Sequence, residues 1–299
     1  MNEERRLKGR FSFIYRERGG TMEWATATKV AFSAARFLYI NRQSFRYGYK
    51  WFQAKYDLGK TDVVVMGHAG VGKSQLINHF NGDARELRYV LPSESQTVEV
   101  DALKFGTTSR LVRTLPGQEA RRTQREIEIF EDDPELEGVI FLVDYGFVAP
   151  RDEAIAAALI RTDGLDSIEK LREHNLRVEI SDFDSLKRMI IKKRQKHGFP
   201  SWLLIAVNKV DLFQGNVADA LNYYHPSGSG PFASKVRELV NTVGSSNLKV
   251  LVVQSCGHIQ DFHWNGEVVP SALDYKQRDS VLVNFQDVVA SLIEGESNG

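Results

Sequence analysis

The chain has 299 residues, of which 42% are hydrophobic, and its 39 basic residues balance its 39 acidic residues. This length suits one large α/β domain with additions, or two small domains. The single cysteine, Cys256, excludes an internal disulfide and fits a reducing compartment. No apolar run reaches the roughly 18–20 residues of a membrane span, and the N-terminus lacks the apolar region of a signal peptide. We therefore expect a cytoplasmic protein, with peripheral membrane contact left open.

Charge is unevenly distributed along the chain. Residues 1–60 contain 13 Lys or Arg and 5 Asp or Glu, a balance of +8, so residues 61–299 carry −8. This asymmetry predicts that the first 60 residues meet an anionic membrane surface, nucleic acid or an acidic partner. A solvated basic arm is the alternative.

The same N-terminal segment is rich in aromatic residues. Apolar residues recur at helical spacing from Thr21, and residues 44–56 interleave aromatic with basic side chains. This pattern is compatible with an amphipathic surface for a membrane interface or a partner, and with single-stranded nucleic acid. We favour a third interpretation, an extra helical layer packed on the following domain, because aromatic stripes most often belong to a core. Nucleic acid is the partner we favour least.

From residue 61 onward, apolar strand-like runs alternate with helical patterns. The predicted strands are Val63–Met66, Thr97–Phe105, Ser109–Leu115, Val139–Val143, Trp202–Val207 and Leu248–Val253. The predicted helices are Lys73–Phe80, Ala120–Phe130, Ser181–Lys196, Val236–Val243 and Ser280–Ile293. An insertion at about 148–180, with helical stretches Ala154–Ile160 and Ser167–Leu171, separates two of the strands.

A glycine-rich loop joins the first of these strands to the first helix. Its residues are Gly67, His68, Ala69, Gly70, Val71, Gly72, Lys73 and Ser74, and Gln75 follows them. Gly67 and Gly72 lack a Cβ, so the backbone can curl and direct its N–H groups at phosphate oxygens. Lys73 supplies a charge for the β- and γ-phosphates, and the Ser74 hydroxyl suits Mg²⁺. Strand, loop and helix together predict binding of a nucleoside triphosphate.

A second motif, Asn208-Lys209-Val210-Asp211, directly follows the strand 202–207. The Asp211 carboxylate can accept hydrogen bonds from both N1–H and the exocyclic amine of guanine, whereas adenine has a lone pair at that ring position. Because a buried carboxylate without a donor is costly, such a site selects guanine. We expect Asn208 to brace the surrounding loops and Lys209 to lie along the base.

These motifs resemble those of Ras-like, translation-factor-related GTPases. The motif residues are Gly67–Ser74, Thr114-Leu115-Pro116-Gly117-Gln118-Glu119, Asn208–Asp211 and a degenerate last motif, Ser255-Cys256-Gly257. Features of the Era-like branch and of the Arf and Rab style both occur. The resemblance covers roughly residues 61–256 and the final helix, and it explains neither residues 1–60 nor the insertion.

The resemblance also implies the roles of the switch residues. Thr97 would bind Mg²⁺ through its hydroxyl and the γ-phosphate through its N–H, and Gly117 would sense the same phosphate. Gln118 would orient the attacking water. The sequence departs from the family at Thr114, where an aspartate usually holds Mg²⁺ through water, and a neutral hydroxyl attracts the metal less strongly.

The expected fold is therefore an α/β, Ras-like P-loop domain over residues 61–299, preceded by a helical extension over residues 1–60. We expect a mostly parallel six-stranded sheet, helices on both faces and an antiparallel edge from the 97–115 hairpin. The expected function is that of a regulatory switch that binds GTP with Mg²⁺ and hydrolyses it slowly to GDP and phosphate. Lys73, Thr97 and Gln118 are the candidate catalytic residues, and Ser74, Thr97 and Thr114 the candidate metal ligands. The alternatives are a nucleotide-dependent scaffold with little turnover and a membrane-associated GTPase.

Overall fold

Parallel strands form the centre of the protein. The computed structural model describes residues 63–81, 99–105, 108–115 and 136–297, so the N-terminal segment 1–60 and the predicted helix Ala120–Phe130 lie outside the described residues. The strands of the main sheet are β1 (Val63–Gly67), β2 (Glu99–Phe105), β3 (Thr108–Thr114), β4 (Gly138–Val143), β5 (Trp202–Val207) and β6 (Lys249–Gln254). The helices are α1 (Lys73–Asn81), α2 (Glu153–Arg161), α3 (Ile168–His197), α4 (Val217–Tyr224), α5 (Pro231–Val243) and α6 (Tyr275–Ser297).

The strand order is β2-β3-β1-β4-β5-β6. Strands β3, β1, β4, β5 and β6 pair in parallel, and β2 pairs antiparallel with β3 at the edge. The α/β class is confirmed. Five of the six strands are parallel, and the hairpin that joins β2 to β3 reverses the chain direction and makes β2 the antiparallel edge.

The sheet is covered on both faces. Strand side chains alternate between faces, so each strand contributes to two apolar cores. One core joins Leu203 and Ile205 of β5 to helices α3 and α5, and the other joins Leu204 and Ala206 to α1 and α6. This double burial explains why the central strands are continuous apolar runs without a polar face.

Helix α3 is longer than the sequence predicts. Ser167–Leu171 and Ser181–Lys196, predicted as separate helices, belong to one 30-residue helix, Ile168–His197. The hydroxyl of Ser167 accepts from the N–H of Lys170 at its start, and Gly198, with φ of 79°, ends it. Residues 172–180, between the two predicted helices, include polar side chains that bind the chain after β4. These polar residues interrupt the apolar periodicity from which a helix is predicted.

Two elements that the sequence analysis did not predict flank the centre. Helix α4 is one, and the hairpin of β7 (Phe262–Trp264) and β8 (Glu267–Val269) is the other. Asn265 and Gly266 turn the hairpin with φ of 45° and 83°, which is the backbone that an Asn-Gly turn favours. The Trp264 indole N–H donates to the Leu165 carbonyl oxygen at 2.7 Å, so the hairpin is attached to the chain just before α3.

None of the helices in the described ranges combines the length and the apolar character that a membrane crossing requires.

We expect Gly138→Ala to destabilise the sheet. Gly138 lies beside Trp202 on the neighbouring strand, and a Cβ there would overlap the buried indole ring. Because the ring is rigid and enclosed, the free energy of unfolding should fall by about 1–3 kcal/mol. Urea denaturation measures this change.

Gly215→Ala is the matched control, since a Cβ at Gly215 meets no atom within 4 Å. An equal loss of stability in both variants would contradict the packing argument.

Candidate functional site

A cavity of about 300 Å³ opens at the carboxyl ends of the parallel strands. Its wall has four segments, each following a different strand: Gly70 and Gln75 after β1; Phe147, Ala149 and Arg151 after β4; Asn208, Lys209, Asp211 and Leu212 after β5; and His258, Gln260, Asp261, Phe262 and His263 after β6. The helix after β1 packs on one face of the sheet, and the long helix after β4 packs on the other. Connections that diverge in this way leave a crevice between neighbouring strands, where α/β proteins bind ligands.

The glycine-rich loop adopts the tight curl that its sequence predicts. Gly67, Gly70 and Gly72 have φ of 145°, 82° and 98°, values at which a side chain would be strained. A Cβ on Gly67 would overlap the Leu142 carbonyl, and one on Gly72 would lie 2.5 Å from the Asn208 amide nitrogen. Glycine is therefore required here by backbone conformation and by close approach of neighbouring atoms.

Lys73 lies across this loop. Its ammonium donates to the carbonyl oxygens of Gly67 and His68, at 2.9 Å each, and its side chain is buried. The loop leads into the N-terminus of α1, where the aligned peptide dipoles of the helix place partial positive charge. Charge, loop and helix end therefore favour an anion at this position.

The Asn208 side chain joins three segments. It is 1% exposed, and its Nδ2 donates to the Val71 carbonyl oxygen at 2.7 Å. Its Oδ1 accepts from the Ser255 hydroxyl and the Gly257 N–H, at 3.1 Å each. The amide thus connects the glycine-rich loop with the chain after β6. A second link is the 2.5 Å hydrogen bond between His79 Nε2 and the Gly257 carbonyl oxygen.

Asp211 is a buried carboxylate on the cavity wall. Oδ1 accepts from the Cys256 thiol at 3.3 Å, and Oδ2 accepts from the Gln260 N–H at 3.4 Å. Burial, reinforced by the Asp211 charge, raises the pKa of the Cys256 thiol above its ordinary value, so the thiol stays a neutral donor. A thiol is a weak donor, and the Gln260 contact is long for an N–H bond, so the carboxylate can accept two stronger donors from a ligand.

Lys209 lies between the ends of β4 and β5. It has the left-handed backbone, with φ of 58°, and its ammonium lies 2.6 Å from Asp144 Oδ2. The same ammonium donates to the Phe147 carbonyl oxygen. The side chain therefore lines the cavity and ends in an ion pair that the sequence analysis did not anticipate. Asp144 directly follows a buried parallel strand, and this position could have identified it.

Behind the ion pair, Glu179 of α3 is fully buried. Its Oε1 accepts from the N–H groups of Asp144 and Gly146, at 3.2 Å each, and its Oε2 accepts from the Tyr224 hydroxyl at 2.5 Å. Burial raises the pKa of Glu179 to about 8, and the negative charge of Asp144 adds to the rise. Nothing in the local sequence distinguishes Glu179 from the other acidic residues of its helix, so sequence reasoning missed it.

The candidate metal ligands differ in what surrounds them. Thr114, at the end of β3, is 1% exposed, and its hydroxyl has no hydrogen-bond partner within the described ranges. Ser74 lies in the first turn of α1. The described residues contain no cluster of three His, Cys, Asp or Glu side chains that could hold a metal alone. Thr97, Gly117 and Gln118 lie outside the described residues.

No protein-family model matches the chain, and no curated protein is significantly similar to it. The family resemblance of the motifs therefore stays an inference from the sequence.

The buried Glu179 carboxyl should make stability depend on pH. Its folded-state pKa is raised from about 4.5 to about 8, so the folded protein holds a proton that the unfolded chain has lost. Stability should therefore fall as pH rises through this interval, by at most about 5 kcal/mol. Urea denaturation across the interval should show this slope reduced in Glu179→Gln, which has no proton to lose.

The exposed Glu173 of the same helix provides the control, and Glu173→Gln should keep the slope of the unmodified protein. Identical slopes in all three proteins would show that Glu179 is not the titrating group.

Proposed function

We propose that this protein binds GTP with Mg²⁺, hydrolyses it slowly to GDP and phosphate, and acts as a regulatory switch on a Ras-like P-loop fold. The observation that carries the proposal is the Asn208 amide. It bonds the glycine-rich loop and the chain after β6, and Asp211 lines the cavity beside it. Two motifs that are far apart in sequence thus line one cavity at the carboxyl edge of the sheet, and the Asn208 amide attaches the third, at residues 255–257, to both.

The chemistry of the cavity supports a separate role for each end. At the Gly70 and Gln75 side, the loop N–H groups and the Lys73 ammonium, which is bound to the same loop, suit the phosphates. At the other end, the Asp211 carboxylate suits the two N–H donors on one edge of guanine. Adenine would leave this carboxylate facing a lone pair, which costs about 1–3 kcal/mol for the unpaired buried group.

The residues present also fit Mg²⁺ in the way that nucleotide-dependent enzymes use it. Mg²⁺ keeps several waters and binds through few protein groups together with substrate phosphates. The Ser74 hydroxyl would be a direct ligand. The Thr114 hydroxyl, which has no hydrogen-bond partner among the described residues, would orient a metal-bound water. The ion would neutralise charge on the phosphates, and its attraction to this site would depend mostly on the nucleotide, since both protein groups are neutral.

Hydrolysis and switching depend on residues that the resemblance assigns. Gln118 would orient the attacking water, and the N–H groups of Thr97 and Gly117 would respond to the γ-phosphate. Loss of that phosphate would release both segments, so the partner affinity of the protein would differ between its GTP and GDP states.

Asp211→Asn should weaken GTP binding about 10- to 100-fold and favour xanthosine triphosphate. The new amide can accept from N1–H and donate to the carbonyl of xanthine, but it opposes a donor to the amine of guanine. Equilibrium titration of both nucleotides measures the change in preference.

Asp261→Asn is the matched control, because Asp261 lines the same cavity but is exposed and bound to the Ser271 N–H. It should keep the preference for GTP. If ATP binds to the unmodified protein as tightly as GTP, the guanine assignment fails.

A nucleotide-dependent scaffold is the second candidate function. The observation that favours it is the hydroxyl of Thr114 at the position where a carboxylate would attract the metal more strongly. A scaffold would bind GTP, yet its phosphate release would not exceed that of a Lys73→Ala variant. Measured release clearly above that baseline would exclude it.

Thr114→Val tests the role of the hydroxyl, because we expect it to improve stability and to weaken the response to Mg²⁺. Replacing an unpartnered buried hydroxyl by a methyl group should raise stability by about 1 kcal/mol. The Mg²⁺ concentration that supports half-maximal phosphate release should rise, because a metal-bound water loses its partner. Thermal denaturation without nucleotide and a Mg²⁺ titration measure the two effects.

Thr242→Val, on the exposed surface of α5, should change neither the Mg²⁺ titration nor the turnover. An unaltered Mg²⁺ requirement in Thr114→Val would remove Thr114 from the metal site.

A further inference from the structure

Helix α3 holds the chain after β4 through three side chains. The Asn175 amide donates to the carbonyl oxygens of Gly146 and Val148, at 2.8 and 2.7 Å. The Arg172 guanidinium lies over the rings of Tyr145 and Phe147, at 4.9 and 4.4 Å from their centroids. Glu179 is the third side chain, and it is the only one of the three that is buried.

Glu179 fixes both the backbone and a neighbouring helix. One carboxyl oxygen accepts from two N–H groups of the segment 144–146, and the other is hydrogen-bonded to the Tyr224 hydroxyl of α4. Glu179 donates in this second bond when it is protonated and accepts when it is ionised. Tyr224 in turn accepts from the Tyr145 N–H at 3.1 Å. The three consecutive N–H groups of residues 144 to 146 therefore all donate hydrogen bonds to Glu179 or Tyr224.

This segment carries the partner of a cavity residue. Asp144, whose N–H is bound to Glu179, holds the Lys209 ammonium at 2.6 Å. Phe147, one residue beyond the bound segment, accepts from the same ammonium. The two groups that bind the Lys209 ammonium, the Asp144 carboxylate and the Phe147 carbonyl, thus belong to the segment that Glu179 holds or to the residue next to it.

We propose that Glu179 is a positioning residue for the nucleotide: from helix α3 it fixes the segment 144–147, and through Asp144 and Phe147 it fixes Lys209 in the cavity wall. Glu179 lies outside the four motifs and does not touch the cavity. The proposal rests on the proposed function, because it assumes that the nucleotide occupies the cavity beside Lys209.

The charge state of Glu179 should affect the position of Lys209 in the cavity wall. Two ionisable groups act directly on Glu179, Asp144 after β4 and Tyr224 on α4. Tyr223 on α4 is influenced by its charge, Lys209 after β5 is paired with Asp144, and Arg172 on α3 lies over the Tyr145 ring. Burial and the Asp144 charge raise the pKa of Glu179 to about 8, so the group is mostly neutral at neutral pH. Ionisation places a second carboxylate against Asp144, which disturbs the contact that holds Lys209.

The test compares GTP affinity, with Mg²⁺ present, across about pH 6.5 to 9 in the unmodified protein and in Glu179→Gln. Glutamine can accept from the same N–H groups and donate to Tyr224, but it cannot ionise. We expect equal affinities near neutral pH, and above about pH 8 a roughly tenfold loss in the unmodified protein alone. Deprotonation of guanine itself cancels, since both proteins bind the same base.

A double-mutant cycle tests the route through Lys209. Glu179→Leu removes the hydrogen bonds and should weaken GTP binding about tenfold, whereas the exposed-site control Glu173→Leu should not. In a Lys209→Ala background the same Glu179→Leu change should have much less effect, because the group it positions is gone. Circular dichroism establishes that each variant is folded.

The outcomes separate the two proposals. If the unmodified protein binds no GTP at any pH, the proposed function fails. If it binds GTP and the pH profile of Glu179→Gln matches its own, the positioning role is overturned, as it is if the cycle is strictly additive. Should Glu179→Leu fail to fold, the pH comparison with Glu179→Gln still decides.

Discussion

The cavity depends on one buried amide. Asn208 extends from the end of β5 and bonds on one side to the loop after β1 and on the other side to the loop after β6. An amide is suited to this task because it carries a donor and an acceptor on adjacent atoms, whereas a carboxylate could satisfy only the acceptor contacts. Loops after parallel strands otherwise have few reasons to stay in register with one another. Gly72 approaches the amide so closely that a Cβ on residue 72 would lie 2.5 Å from the Asn208 side-chain nitrogen. Any side chain on Gly72 would therefore displace Asn208.

A second group of residues supports the other half of the cavity by electrostatic means. Asp144 and Glu179 are two carboxyl groups in a buried region, with the Lys209 ammonium as the cation bound to Asp144. Two buried negative charges beside one positive charge would be costly. The structure avoids this cost because Glu179 stays protonated near neutral pH and is hydrogen-bonded on both oxygens. One ionised pair and one neutral carboxyl therefore support the wall of the cavity, and the neutral carboxyl of Glu179 contributes hydrogen bonds instead of charge.

The sequence predicted what depends on local conformation and missed what depends on distant contacts. The tight curl of the glycine-rich loop could be predicted because it depends on the glycines of one eight-residue stretch. The sequence predicts two helices in place of α3 because Arg172, Asn175 and Glu179 put polar groups on a face that contacts protein. Their partners are 27 to 45 residues away in sequence. Asp144 and the Asn265-Gly266 turn carried local signals that pattern reasoning could have used. Glu179 carried none, since its burial follows only from the assembled fold.

The contacts that enclose the cavity also determine when it can form. His79 reaches Gly257 across 178 residues, Asn208 reaches Val71 across 137, and Trp264 reaches Leu165 across 99. Closing loops of this length is entropically costly and slow, so such contacts follow the local helices and hairpins in folding. During synthesis, strands β1 to β5 emerge before the residues that complete the wall at 255–264. A nascent chain therefore has its glycine-rich loop long before it has a closed cavity.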